Sequence, residues 1–345
     1  MKITGLVLQG GGALGAYQYG ALKGFYEINP NFSPEIVTGT SIGAVNGAVM
    51  LGGRYGALES LDRLWNALQI PPTPFIPQDW QAKVSKFGNP NMYYINPTLM
   101  FSPLTADSIY DISPFRKLLL ELIDFDKLND KKTTKLVIEA VNVESGELKQ
   151  FSNHDKEGLD IDKIISCVSI PPNFPAMKVE NGYYWDGGLY ANMPLSPAIN
   201  FLEKYRPTEV EQKKGIAITE REVIVISLFR KGAVLPTTIS EITERVKEII
   251  FESKLKLDYK TFEQMNDTID LMREIDQVLD QNSPIRNNET FKKLLDHEKI
   301  NPPVLLQYEA EGVEGTDNFT PEAMDFRIRQ GYRDAINSFK EVVNN

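Results

Sequence analysis

The chain has 345 residues, 42% of them hydrophobic and 24% charged, with a formal net charge of −10. That balance supplies a globular core but argues against a nucleic-acid partner, because phosphate contacts need clustered cations. The one cysteine, Cys167, excludes an internal disulfide and any cysteine-built metal site.

At the N-terminus, Ile3–Gln9 reads as a buried strand. Its apolar stretch, Ile3 to Leu8, is too short for a secretory h-region. No uncharged apolar run approaches the roughly 20 residues a membrane span needs, so the expected location is the cytoplasm. A glycine loop follows, then a helix from about Leu14 to Glu27, a short strand Glu35–Thr38, a small-residue helix Ile42–Leu51 and a helix near Ala57–Leu68. Strand-like and helix-like segments in alternation predict an α/β fold with a largely parallel sheet.

From Ile70 to Pro103 the periodicity collapses under seven prolines and several exposed-looking aromatics. Residues 70–105 are read as a lid or substrate wall, since long irregular segments in compact domains often cover active sites. Regular pattern resumes with a helix at Pro114–Ile123, strands Lys135–Val143 and Leu148–Ser152, and a helix near Ile161–Val168. A strand end at Tyr183–Trp185 and a buried strand Val223–Leu228 follow. Apolar residues at 3–4 spacing make Ile239–Leu279 a long helix with one packed face. Val304–Tyr308 adds a last strand before a C-terminal helix. The expected organisation is a catalytic core over 1–235 and a mainly helical extension over 236–345, packed on that core.

Three clusters carry chemistry. Gly10–Gly15, GGGALG, lies between a strand and a helix. Its glycines let backbone amides converge on an anion at a helix N-terminus. The spacing also fits a dinucleotide fingerprint, but the acid that reading needs at the end of the second strand is absent; Glu35 begins that strand instead. Gly39-Thr40-Ser41-Ile42-Gly43 is a G-x-S-x-G pattern in strand–turn–helix context, the setting of a nucleophile elbow. Gly39 and Gly43 permit the sharp turn, and Ser41 sits where a helix dipole favours developing negative charge.

The third cluster is Trp185-Asp186-Gly187-Gly188. A serine needs an adjacent base. The chain has two histidines, His154 in a polar run and His297 at a helix end, and neither has obvious company. Asp186, held by the glycine-rich backbone of Gly187 and Gly188, is the best remaining base for Ser41.

GGGALG, GTSIGA and DGG in this order resemble the patatin-like phospholipase family. Ser169-Ile170-Pro171-Pro172-Asn173-Phe174-Pro175 before the Asp186 turn, and Asn192-Met193-Pro194-Leu195 after it, carry the same likeness. It covers residues 1 to about 205, and the remainder looks similar to a bacterial branch of the family. The resemblance implies a three-layer α/β/α sandwich, patatin-like (FabD/lysophospholipase-like), and serine-dependent hydrolysis of lipid acyl esters. Ser41 and Asp186 would form a dyad acting through an acyl-enzyme, with the amides of Gly10, Gly11 and Gly12 as oxyanion hole. It implies no cofactor and no metal, a lipid acyl ester as substrate and contact with a membrane surface or micelle. Many members carry Arg or Lys two positions after the glycine triplet, where this chain has Leu14, so a positive group near the loop is expected to be missing.

Other readings stand beside this one: an α/β-hydrolase with a Ser41–Asp186–His297 triad, which fits the chain order; a non-enzymatic lipid- or nucleotide-binding module, which has no use for an elbow serine; and, as a variant of the favoured reading, a lipid acyltransferase using the same acyl-enzyme. The sequence leaves open the head group, acyl length and oligomeric state.

Overall fold

The computed structural model describes residues 1–70, 88–207, 215–229, 235–309 and 315–344, together with Phe75, Trp80 and Gly232. Its centre is a mixed sheet whose strands divide their side chains between two cores. The strands are β1 (Lys2–Leu8), β2 (Ile36–Thr40), β6 (Lys135–Asn142), β7 (Leu148–Ser152), β8 (Met177–Val179), β9 (Gly182–Asp186), β10 (Glu220–Ser227) and β11 (Val304–Gln307). Their order is β11-β10-β1-β2-β6-β9-β8, with β7 on the other edge of β6. From β11 to β6 every pairing is parallel.

Successive side chains of a strand face opposite ways. Leu6, Leu8, Val37, Leu136, Ile138, Ile224 and Ile226 therefore enter one core. Their neighbours Ile3, Val7, Ile36, Val137, Val223 and Val225 enter the other. The first core is covered by α1 (Gly15–Ile28), α2 (Ile42–Gly52), α3 (Ala57–Leu68), α5 (Ser113–Leu122) and α11 (Pro321–Asn344), and the second by α8 (Leu195–Lys204) and, through Phe262, by α9 (Ile239–Val278). Burying one such Leu or Val stabilises the fold by about 1.5–3 kcal/mol. The result is the three-layer α/β/α sandwich the sequence predicts.

The C-terminal part is woven into this sandwich. Strand β11 extends the sheet, and α11 lies against α1 with their backbones nearly touching. A Cβ on Gly20 would come within 2.0 Å of the Ile328 carbonyl oxygen, and one on Gly331 within 2.0 Å of that of Tyr17. Only glycine permits that approach.

Of the expected lid, residues 71–74, 76–79 and 81–87 lie outside the described residues. Residues 88–105 contribute β3 (Gly88–Asn89), β4 (Tyr93–Ile95) and the short helix α4 (Pro97–Phe101). With β5 (Tyr110–Asp111) these strands make a small antiparallel sheet, β3-β4-β5. It is fastened to the 171–175 turn by bonds from the Ile109 and Tyr110 amides to the Pro172 and Asn173 carbonyls, at 3.0 and 2.8 Å. The remaining helices are α6 (Phe125–Asn129), α7 (Ile161–Ser166) and α10 (Glu289–Leu295). No helix of the described residues is long and apolar enough to cross a membrane.

Strand β6 brings the G-x-S-x-G elbow and the Asp186 turn together. Parallel β2 pairs along its first half, ending with Thr40 opposite Glu139. Antiparallel β9 takes up the second half, with Asp186 opposite Ala140. The opposite edge of β6 is occupied by β7 over Val137–Val141, so β2 and β9 share one edge and meet end to end. Ser41, one residue past Thr40, is thereby delivered beside Asp186, although 145 positions separate them in the chain.

Candidate active site

Ser41 follows the last residue of β2 and caps α2, with φ 53° and ψ −128°. A non-glycine residue with positive φ is strained by about 1–3 kcal/mol and persists only where its surroundings impose it. Here they do so through the flanking glycines. A Cβ on Gly39 would lie 2.5 Å from the Gly43 carbonyl carbon, and one on Gly43 2.2 Å from the Leu8 carbonyl oxygen. The turn is thus pressed against the end of β1, and the half-buried Ser41 side chain stands at the N-terminus of α2.

The Ser41 side chain lies near enough to the Asp186 carboxylate to favour its ionised form. Asp186 is 2% exposed. Its own amide donates to the Ser169 carbonyl at 3.0 Å, and its Oδ1 accepts from the Gly188 amide at 2.8 Å. Burial pushes its pKa up to about 7, against the lowering effect of Ser41 and of the bond from Gly188. A carboxylate poised there can both take and return a proton near neutral pH. Gly187 serves packing: a Cβ would meet the Glu139 carbonyl oxygen at 2.5 Å.

The glycine loop lies alongside. A Cβ on Gly10 would be 2.8 Å from that of Ser41. The expectation that all three amides face the site needs correction. The Gly10 amide already donates to the Asn192 carbonyl at 3.2 Å, because the Asn192 backbone runs against it. The amides of Gly11 and Gly12 have no acceptor among the described residues. Both belong to peptide units whose carbonyls are held from behind. The Gly10 carbonyl accepts from Asn192 Nδ2 at 3.0 Å, and the Gly11 carbonyl accepts from the Leu14 amide at 3.1 Å. A peptide held by its oxygen presents its N–H in a fixed direction and polarised.

Gly12 has φ 55°, and a Cβ there would come within 2.3 Å of the Thr316 carbonyl oxygen. Gly12→Ala is therefore expected to displace the loop and lower turnover by about 10²–10³-fold, the usual cost of a lost oxyanion donor. KM should change much less. Steady-state kinetics with a soluble ester check this.

The structure adds residues that the motif reading left out of the site. Asn192, 2% exposed, bonds both sides of Gly10 and so ties the glycine loop to the segment after Asp186. Beneath the loop, Gln18 Nε2 donates to the Gln9 carbonyl at 2.7 Å. Asn46 Nδ2 donates to Gln18 Oε1 at 2.9 Å, and Trp65 Nε1 to Asn46 Oδ1 at 3.0 Å. Lone amides in the otherwise apolar, small-residue faces of α1 and α2 were the available signal. Next to Leu14, the fully buried Arg327 of α11 donates to the Ala13 carbonyl at 3.2 Å.

The histidines are elsewhere. His297 Nδ1 lies 3.1 Å from Glu203 Oε2. The adjacent Glu298 is 3.6 Å from Arg221, which pairs with Ile3 near the beginning of β1. His154 Nε2 is 3.0 Å from the Thr133 carbonyl, before β6 begins. Both sit at the starting ends of the parallel strands, whereas Ser41 and Asp186 sit at the finishing ends. The seven residues of β1 put about 20 Å between the two ends. A triad through His297 is incompatible with this geometry.

Among solved structures, the chain aligns with VipD from Legionella pneumophila at 13% identity and a TM-score of 0.40, covering 98% of this chain and 67% of that one. It also aligns with the heterodimeric ExoU–SpcU complex of the Pseudomonas aeruginosa type III secretion system at 13% identity and a TM-score of 0.40. That alignment covers 99% of this chain and 52% of the matched chain, so this protein spans about half its length. No curated protein matches. A family model described as patatin-like phospholipase matches residues 6–199, more than half of the chain and the part that holds the glycine loop, the elbow and the Asp186 turn. The chain belongs to the patatin-like phospholipase family.

Proposed function

We propose that this protein is a lipid acyl hydrolase that uses a Ser41–Asp186 dyad through an acyl-enzyme. The observation that carries the reading is the elbow serine, strained into positive φ and set near a buried carboxylate, beside two unengaged amides. Asp186 accepts the Ser41 proton as Oγ attacks the ester carbonyl. The amides of Gly11 and Gly12 take up the developing oxyanion. Collapse of the tetrahedral intermediate expels the alcohol, which leaves with the proton from Asp186. Water then attacks the acyl-enzyme, giving its proton to Asp186, and the fatty acid departs as Ser41 recovers its hydrogen.

The substrate wall is supported by an aromatic group formed by Tyr93, Tyr110 and Phe174, with ring centroids 4.6–6.1 Å apart. Phe174 is in the turn downstream of Ser169, which holds the Asp186 amide. Tyr110 feels the charge of Asp317, next to the Thr316 carbonyl that braces the glycine loop. The cluster is thus joined to the turn that leads into the Asp186 segment. Beyond it Met100, Phe101 and Leu104 are exposed, apolar surface suited to an acyl chain or an aggregated lipid.

The test is a panel of p-nitrophenyl esters from acetyl to palmitoyl, beside phospholipid and lysophospholipid micelles, with a fluorophosphonate probe to mark the nucleophile. Labelling should fall on Ser41 alone. Turnover is expected to rise at least ~10-fold from acetyl to medium and long chains, since each buried methylene is worth about 0.8 kcal/mol. Faster hydrolysis of acetyl than of every longer ester would make the enzyme a small-ester esterase.

A further inference from the structure

A guanidinium held at 0% exposure is costly unless its hydrogen bonds are met, and Arg327 is among the largest fully buried side chains in the molecule. Its partners lie on two separate loops. Nη1 donates to the Ala13 carbonyl at 3.2 Å and to the Asn318 carbonyl at 2.7 Å. Nη2 donates to the Gly315 carbonyl at 3.1 Å, and the Tyr308 side chain adds a further bond. The two loops also meet directly, since the Ala13 amide donates to the Thr316 carbonyl at 2.8 Å, with that carbonyl pressed against Gly12. Arg327 therefore fixes the glycine loop twice. It holds the Ala13 carbonyl itself, and it also holds Gly315 and Asn318, which flank the carbonyl that braces Gly12 and Ala13.

The carboxylate of Asp317, in the loop that Arg327 holds, favours a cation here, but the face of α11 around it is otherwise apolar. The neighbouring buried positions of the helix are Ala323, Met324 and Ala335, and its seat on α1 is made by Gly331. Geometry also restricts the residue type. A planar guanidinium reaches carbonyls on two loops at once, whereas an ammonium on a shorter stem serves as a point donor.

We propose that Arg327 is a positioning residue for the oxyanion loop, through which the C-terminal helix α11 sets the direction of the Gly11 and Gly12 amides. Residues 315–327 are in this view part of the catalytic apparatus, although they lie far downstream of the motifs. The proposal rests on the reading of Ser41 as an acylated nucleophile.

Arg327→Lys and Arg327→Met in the full-length protein test it, with ester kinetics, the rate of fluorophosphonate labelling and amide hydrogen exchange measured together. Arg327→Met is expected to lower kcat by about 100-fold, the order of one lost oxyanion donor, with KM within about threefold. Arg327→Lys should retain more of kcat but stay well below wild type. Labelling of Ser41 should slow in parallel. Exchange should speed up at residues 11–15 and 315–318 while the amides of β1, β2 and β10 keep their protection. Wild-type kcat in either folded variant would overturn the proposal. So would exchange that accelerates equally across the sheet, because that marks general loosening. If Arg327→Met fails to fold, Arg327→Lys decides by the same readouts. A wild-type protein inert to the probe and to every ester would overturn the nucleophile reading, and the exchange pattern then judges the clamp on its own.

Discussion

Ser41→Ala is expected to remain folded and to lose ester hydrolysis by about 10⁶-fold, the scale seen when a serine nucleophile is removed from a machine whose parts act as a unit. Alanine keeps the Cβ, so the positive φ imposed by the close packing of Gly39 and Gly43 is neither relieved nor worsened. What disappears is the hydroxyl proposed to attack, together with its influence on the Asp186 carboxylate. A thermal melt close to wild type, with no fluorophosphonate adduct by intact mass, is the expected pair of observations. A folded Ser41→Ala protein with more than about a hundredth of wild-type turnover would rule out the dyad.

Asp186→Asn should be nearly as inactive and yet more stable than wild type at alkaline pH. The amide cannot take the Ser41 proton, whereas His297→Ala and His154→Ala should each keep most of their activity, both side chains being at the far end of the sheet. The stability effect follows from burial. Asp186 titrates near 3.8 when exposed and at about 7 in the folded protein. Between those values the folded state holds a proton the unfolded state has lost, so this group's contribution to stability falls as pH rises from about 4 to about 7. A shift of that size is on the order of 4 kcal/mol, and losing the influence of Ser41 and the Gly188 bond on an ionised oxygen offsets part of it. At pH 8 the Asn variant should melt several degrees above wild type, and near pH 4 the difference should vanish. A variant less stable than wild type at pH 8 would show that Asp186 is held ionised without penalty. In wild type, kcat/KM should rise as pH passes upward through about 7, because the base must be free to accept. A histidine base would produce nearly the same profile, so the mutants rather than the pH curve separate dyad from triad.

Much of the strand and helix order was legible because period-2 and period-3.6 patterns are local. The β1, α2, α3, β7 and β10 segments lie within a few residues of their expected limits. The short helix α4 escaped that reading even though its cap was in plain view: Asn96 Oδ1 accepts the Thr98 amide at 2.9 Å, with Pro97 at the first helical position. Five residues are too few for periodicity to register, and cap chemistry was the better guide. The contact between Arg327 and the glycine loop was hidden for a different reason. Arg327 is 314 residues away from Ala13, and no local pattern reports such a contact.

By itself the sequence determined the chemistry on offer: a serine between glycines at a strand–helix junction, an aspartate before two glycines, and only two histidines, neither inside a motif. These are local facts, because elbow and turn geometry depend on which residues tolerate a given φ and ψ. Only the tertiary structure decided which groups meet. Pairing of β2 and β9 along one edge of β6 put Ser41 beside Asp186. The same folding left His297 at the wrong end of the sheet, used up the Gly10 amide on Asn192 and brought Arg327 behind the loop. Those outcomes depend on strand register and on helix packing, which are settled by burial across the whole chain rather than by any segment of it.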